Sequence, residues 1–92
     1  MSGQRQLIPI LEHMNYPRLT NCFSQTLGIP AAEVTDGLAY NSIKQWDSVA
    51  HMALVAAIEN EFNIMLDTDE IIALSSVAVA RQILGRKGVS LA

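Results

Sequence analysis

The sequence predicts an all-α protein: a four-helix bundle with a long loop between helices one and two and a short helix three. Three observations carry this. Apolar residues recur at helical spacing along the chain, and no stretch shows the apolar–polar alternation of a half-buried strand. Helix start signals stand before four segments, at Asn15-Tyr16-Pro17, Asp47, Asp67 and Ser75-Ser76. Half of the 92 residues are hydrophobic and only 5% are aromatic, enough for one modest core of Leu, Ile, Val, Ala and Met and for no second one.

Residues 1–14 read as an N-terminal extension, 15–85 as the folded domain and 86–92 as a flexible C-terminal tail. Met1 to Gln6 is polar and expected to lack fixed structure. Leu7, Ile8, Ile10 and Leu11 form a small apolar cluster that either packs back on the domain, the favoured reading, or docks elsewhere. Helix one is expected from about Pro17 to Leu27, with Pro17 at its first position and Asn15 or Tyr16 as cap. Leu19, Cys22, Phe23 and Leu27 mark its buried side, Gly28 stops it, and Pro30 prevents its continuation. The connection 28–46 is long for a compact domain. Its apolar residues Ile29, Val34, Leu38, Tyr40, Ile43 and Trp46 predict a loop that wraps the bundle, with a short turn near Ala31–Val34.

Helix two is expected from Ser48 to Phe62, behind an Asp47 cap whose charge suits the helix dipole. At 100° per residue, Leu54, Val55, Ile58 and Phe62 form the core face, with Ala50, Ala53 and Ala57 opposite. A second strip holds Ser48, Met52, Ala56 and Glu59, with Val49 at its edge. It has two readings of equal weight, a lateral contact with another helix or an exposed docking surface. Asp67 and Glu70 form a capping box for a short helix three carrying Ile71, Ile72 and Leu74. Ser75 or Ser76 caps helix four, which turns Val77, Ala80, Ile83 and Leu84 inward and Arg81 outward, and ends at Gly85.

Composition excludes several classes. A net charge of −3 with no basic stripe argues against nucleic-acid binding. No apolar run approaches the about 20 residues of a membrane span. Leu7-Ile8-Pro9-Ile10-Leu11 is too short, and too broken by Pro9, for a secretory h-region, so a cytoplasmic location is expected. The lone cysteine, Cys22, precludes an internal disulfide and reads as a small buried hydrophobe. Two distant histidines without a second cysteine give no zinc site. Asp67, Asp69 and Glu70 lack the spacing of a calcium loop, and Glu33 and Asp36 read as solvated loop charges.

The chemistry-bearing stretch is Gln45-Trp46-Asp47-Ser48-Val49-Ala50-His51-Met52. Ser48 falls on the first turn of helix two, beside unpaired N–H groups and the positive dipole end, where an attached anion is well received. Ser48 therefore reads as a point of covalent attachment. A Ser48–His51 hydrolytic pair is the rival at helical reach, but nothing supplies a nucleophile elbow or a glycine-rich oxyanion hole. His51 is expected at the mouth of a pocket, partly buried, with a contact to a bound phosphate as a secondary role. A second rival is an unmodified helical interaction module in which Ser48 is an ordinary first-turn serine. Phosphorylation of Ser48 is a further option that no kinase motif supports.

The order helix, long loop, Asp-Ser, helix, short helix, helix resembles an acyl carrier protein. Leu27-Gly28-Ile29, Glu33-Val34-Thr35, Asp47-Ser48-Val49, Ile58-Glu59 and Glu61-Phe62 fall where that family's pattern places them, over residues 16–84 without a gap. The resemblance implies that Ser48 receives 4'-phosphopantetheine from coenzyme A through a phosphopantetheinyl transferase, with Asp47 part of what the transferase recognises. It implies acyl or aminoacyl cargo carried as a thioester, no catalysis by the carrier itself, and acyl- or aminoacyl-loading and acyl-transferring enzymes as partners of a monomer. Docking would use Val49, Met52, Ala56 and Glu59. An acyl pocket would be lined by Val55, Ile58, Leu66, Ile71 and Leu74, with Tyr40. Two departures stand out. Gln45-Trp46 replaces the usual glycine region before the Asp, and helix two carries only Glu59 and Glu61 as acids. The Trp-Asp-Ser form resembles free-standing carriers of polyketide, nonribosomal peptide or aminoacyl chemistry more than a housekeeping carrier of fatty acid biosynthesis.

Overall fold

Capping chemistry sets the helix boundaries in the computed structural model, which describes the backbone of residues 2–91 and the side chains of residues 14–91. Four α-helices follow in order: α1 (Ser2–Leu27), α2 (Ser48–Phe62), α3 (Thr68–Ala73) and α4 (Val77–Arg86). A 3-10 turn, Ala31–Glu33, sits in the first connection. No strand occurs among the described residues, and β-type pairing there is confined to the isolated bridge between Ala39 and Ser76. The expected all-α four-helix bundle is the fold observed.

The Asp47 carboxylate accepts the Ala50 N–H at 2.9 Å and starts α2 at Ser48. Asn63, at φ +53, ends it in the left-handed conformation that asparagine tolerates, with its N–H on the Glu59 carbonyl. At α3 the capping box is complete: Asp67 Oδ1 accepts the Glu70 N–H at 2.8 Å, and Glu70 Oε1 accepts the Asp67 N–H at 3.0 Å. Ser76, not Ser75, caps α4 by accepting the Val79 N–H. α1 ends at Gly28, whose φ of +66 lets both its own N–H and that of Ile29 reach the Ser24 carbonyl.

Three expectations about the chain ends need correction. α1 does not begin at Pro17. It is already helical from Ser2 and runs through both Pro9 and Pro17, so residues 2–6, expected to lack fixed structure, are helical. A proline inside a helix deletes one backbone hydrogen bond. Pro17 lies on the exposed side, and the rest of its turn carries α1 past it. How Leu7, Ile8, Ile10 and Leu11 pack lies outside the described side chains. α4 passes Gly85 and closes after Arg86, because the residue that adopts positive φ, at +88, is Gly88. The expected loose tail is laid against the bundle. Val89 and Leu91 pack on the core, Val89 N–H reaches the Leu84 carbonyl at 2.9 Å, and Asn15 Nδ2 donates to the Ser90 carbonyl at 2.8 Å.

One apolar core joins the elements. α1 contributes Leu19, Cys22, Phe23 and Leu27; α2 contributes Leu54, Val55 and Ile58; α4 contributes Val77, Ala80, Ile83 and Leu84. Phe62, expected on the α2 core face, is half-buried beneath the Arg18 guanidinium at 4.7 Å. Arg18 also pairs with Glu61 at 2.6 Å and ties α1 to the end of α2. The long connection wraps as expected. Ile29, Val34, Leu38 and Trp46 are buried, and Trp46 meets Phe23 edge-on at 5.4 Å. Backbone bonds from Tyr40 N–H to the Ser75 carbonyl and from Val77 N–H to the Leu38 carbonyl staple this loop to the start of α4. Arg81, facing outward, pairs with Asp36 on the loop and lies over the Tyr16 ring.

Candidate functional site

The site grows from the junction where the loop ends and α2 begins. Trp46 is fully buried and holds the end of the loop down. Asp47 then caps the helix, which brings Ser48 onto its first turn in solvent. Two of the four leading amides of α2 are taken, Ala50 by the Asp47 carboxylate and His51 by the Asp47 carbonyl at 2.8 Å. The amides of Ser48 and Val49 have no protein partner among the described residues, so N–H groups and the positive dipole end flank the Ser48 hydroxyl. A phosphodiester on this oxygen would sit among donors at a helix start.

Other serines in the folded region differ. Ser24 Oγ donates to the Ile29 carbonyl at 2.6 Å, Ser42 Oγ donates to the Ala39 carbonyl at 2.6 Å, and Ser76 Oγ is used as a cap. The Ser48, Ser75 and Ser90 hydroxyls have no protein partner among the described residues, and all three residues are exposed.

His51, one turn beyond Ser48, has both ring nitrogens engaged. Nδ1 accepts the Trp46 indole N–H at 3.0 Å, and Nε2 lies 2.9 Å from the Ile71 carbonyl oxygen. The expected phosphate contact therefore finds no free ring nitrogen, and a base for a Ser48 hydrolytic pair finds none either. The imidazole instead forms part of the wall of a groove of about 210 Å³, lined by Tyr40, His51, Ile71, Ile72, Leu74 and Ser75. Three residues of the expected acyl pocket, Tyr40, Ile71 and Leu74, line this groove. The other three, Val55, Ile58 and Leu66, are buried in the core. The opening lies between the loop, the first turn of α2 and α3, displaced from the α2 core face. Sequence reasoning missed Ile72 and Ser75 as lining residues; only the proximity of Ile72 to Ile71 on a short helix could have pointed there.

The second strip of α2 is exposed: Val49 is 78% and Met52 56% accessible, and Ala56 also faces solvent. Among the described residues no helix covers Val49, Met52 or Ala56. Glu59 is half-buried, and its Oε2 accepts the Leu66 N–H at 2.9 Å, so it fastens the segment between α2 and α3. Two further exposed apolar residues went unforeseen, Met65 and Ile72, each 76% accessible. Among the described residues no group of His, Cys, Asp or Glu could hold a metal ion, and no helix is long and apolar enough to cross a membrane. Burial pushes the Cys22 thiol up to about 11, with the Glu61 charge adding to the shift.

A comparison with curated proteins returns no match. A comparison with protein families matches one model, described as the phosphopantetheine attachment site, over residues 17–80. That span runs from the middle of α1 into α4 and takes in the loop, the α2 start and α3. Its members hold 4'-phosphopantetheine covalently on a serine, and an exposed hydroxyl on the first turn after the Asp47 cap, beside two unpartnered amides, fits that group. With the family model covering well over half of its length, the chain belongs to the phosphopantetheine attachment site family, the carrier proteins of acyl-carrier type.

Proposed function

We propose that Ser48 is the attachment residue and that the chain presents acyl or aminoacyl cargo to partner enzymes. The single observation that carries this is the Ser48 hydroxyl, exposed beside two unpartnered amides on the first turn of α2, directly after the Asp47 cap. Ser75 is exposed too, but it precedes α4 without an acid before it and lies behind the Ser76 cap. The attached group supplies a flexible arm ending in a thiol, on which cargo rides as a thioester. The chain's own part is to hold the phosphate end at the N–H groups of Ser48 and Val49, and to keep Ser48 clear of neighbouring side chains. Asp47 keeps the helix start in shape and stands as the acid a phosphopantetheinyl transferase would meet.

Val49, Met52 and Ala56 form the apolar surface on which loading and transferring enzymes would dock. With the nearby acid Glu59 turned toward the Leu66 amide, this docking leans on apolar contact. That supports a specialised biosynthetic pathway, of polyketide, nonribosomal peptide or aminoacyl type, over a housekeeping fatty-acid one. The groove beside Ser48 would shelter a small apolar portion of the cargo; an enclosed apolar cavity of about 150 Å³ accepts benzene.

The test is the intact mass of the protein before and after incubation with coenzyme A and a promiscuous phosphopantetheinyl transferase. One added phosphopantetheine, lost in Ser48→Ala and kept in Ser75→Ala, is the expected result. No addition to a demonstrably folded sample would favour the unmodified interaction module, and addition to Ser48→Ala would move the site to another serine.

A further inference from the structure

Between Trp46 and Ile71 the His51 ring has partners of opposite chemistry. An indole nitrogen can only donate, so the Trp46 N–H, 3.0 Å from Nδ1, requires a lone pair there. A carbonyl can only accept, so Nε2, 2.9 Å from the Ile71 oxygen, carries the proton. Partner chemistry thus assigns the neutral Nε2–H tautomer. A ring protonated on both nitrogens would set two N–H groups against each other at Trp46. The geometry agrees: the Trp46 and His51 ring planes are 18° apart with centroids 6.1 Å apart, side by side as an in-plane N–H···N bond needs. Tyr40 meets the imidazole edge-on at 5.4 Å.

The other end of this bridge matters because α3 is short. Six residues do not sustain a helix alone, and the Ile71 carbonyl is among the last four of α3, which lack a partner within the helix. His51 supplies the missing donor from α2. At its opposite end, Trp46 is fully buried against Phe23 and gives the bridge a fixed footing.

We propose that His51 is the positioning residue of the groove beside Ser48. In its neutral Nε2–H form it latches the end of α3 to α2, and so fixes Ile71, Ile72 and Leu74 as the wall opposite Tyr40. The role of that wall rests on the carrier reading, but the latch is tested on the unmodified protein, so failure of one leaves the other standing.

Nitrogen NMR of the labelled protein reads the latch directly. The expected spectrum has His51 Nε2 protonated, Nδ1 bare, and a scalar coupling across the hydrogen bond from the Trp46 indole N–H to Nδ1. A proton on Nδ1, or no coupling with averaged ring signals, overturns the proposal. Amide exchange supplies the second reading. His51→Leu should speed exchange of the Ile72–Leu74 amides about fivefold, the size of one lost hydrogen bond. His51→Gln, whose carboxamide keeps a donor and an acceptor, should return it toward the original rate. Equal exchange in all three proteins also overturns the latch. Should the leucine variant fail to fold, the tautomer measurement decides.

Discussion

In the body made by α1, α2 and α4, the side chains that meet are Leu19, Phe23, Leu54, Ile58, Ile83 and Leu84, all essentially inaccessible. α3 buries none of its six residues and contributes to the core chiefly through Leu74, just past its end. What holds α3 is polar and comes largely from elsewhere: the Asp67–Glu70 capping box, the Glu59 carboxylate on the Leu66 amide, the Lys87–Glu70 ion pair at 2.8 Å, and His51 on the Ile71 carbonyl. A fully buried aliphatic side chain contributes about 1.5–3 kcal/mol, while an intramolecular hydrogen bond nets about 0.5–1.5 kcal/mol. The body is therefore a rigid frame, and the wall beside the candidate attachment point is a lighter part fastened at a few places. Lightly held elements are those that open first, which would suit the proposed role of this wall in sheltering cargo.

The contrast can be broken at its strong side. Ile58→Ala should lower global stability by about 2–5 kcal/mol, the range for a buried large-to-small change, read as a shift of the whole urea transition. Asp67→Ala removes one cap and should cost about 1 kcal/mol. Most of that should appear as faster amide exchange within α3 while the urea midpoint barely moves. If the two variants shifted the global transition alike, α3 would unfold with the body and the division would be wrong. The smallest effect is electrostatic. The Lys87 side chain, and then the Asp67 N–H, hold the Glu70 carboxyl below its ordinary range. A lowered folded value means that the contribution is present above the ordinary carboxylate range and is lost as pH falls through the lowered one. Acid should thus loosen α3 before it loosens the body, and Lys87→Met should flatten that pH dependence in amide exchange.

What could be foreseen, and what could not, divides along the range of the interactions. α2 was legible at both ends, and so was the Asp67–Glu70 box, because capping is decided within four residues; at α4 two adjacent serines left the cap open between Ser75 and Ser76. The buried loop residues Ile29, Val34, Leu38 and Trp46 could be picked out since an apolar residue in a polar connection has few other places to go. Helix one was misplaced because Pro17 is a valid first residue as well as a tolerated interior one, and local sequence does not distinguish the two. The groove was misdrawn for a different reason. Val55 and Ile58 share the helical face of the core, and only the path of the loop decides that the opening forms at Tyr40 and His51 instead. No spacing rule connects residue 51 with residue 71, so the double engagement of His51 was invisible until both were placed.

The burial of Cys22 has a consequence for cargo. It is the chain's sole cysteine, its sulfur is turned inward to within 3.8 Å of the Ala57 carbonyl, and it stays a thiol at neutral pH. A thioester held nearby would meet no competing sulfur nucleophile on the carrier itself, so an activated acyl group could not be lost to self-acylation or the arm to an internal disulfide. On the proposed reading, a thiol-selective label on the folded protein would report on the sulfur of the attached arm alone.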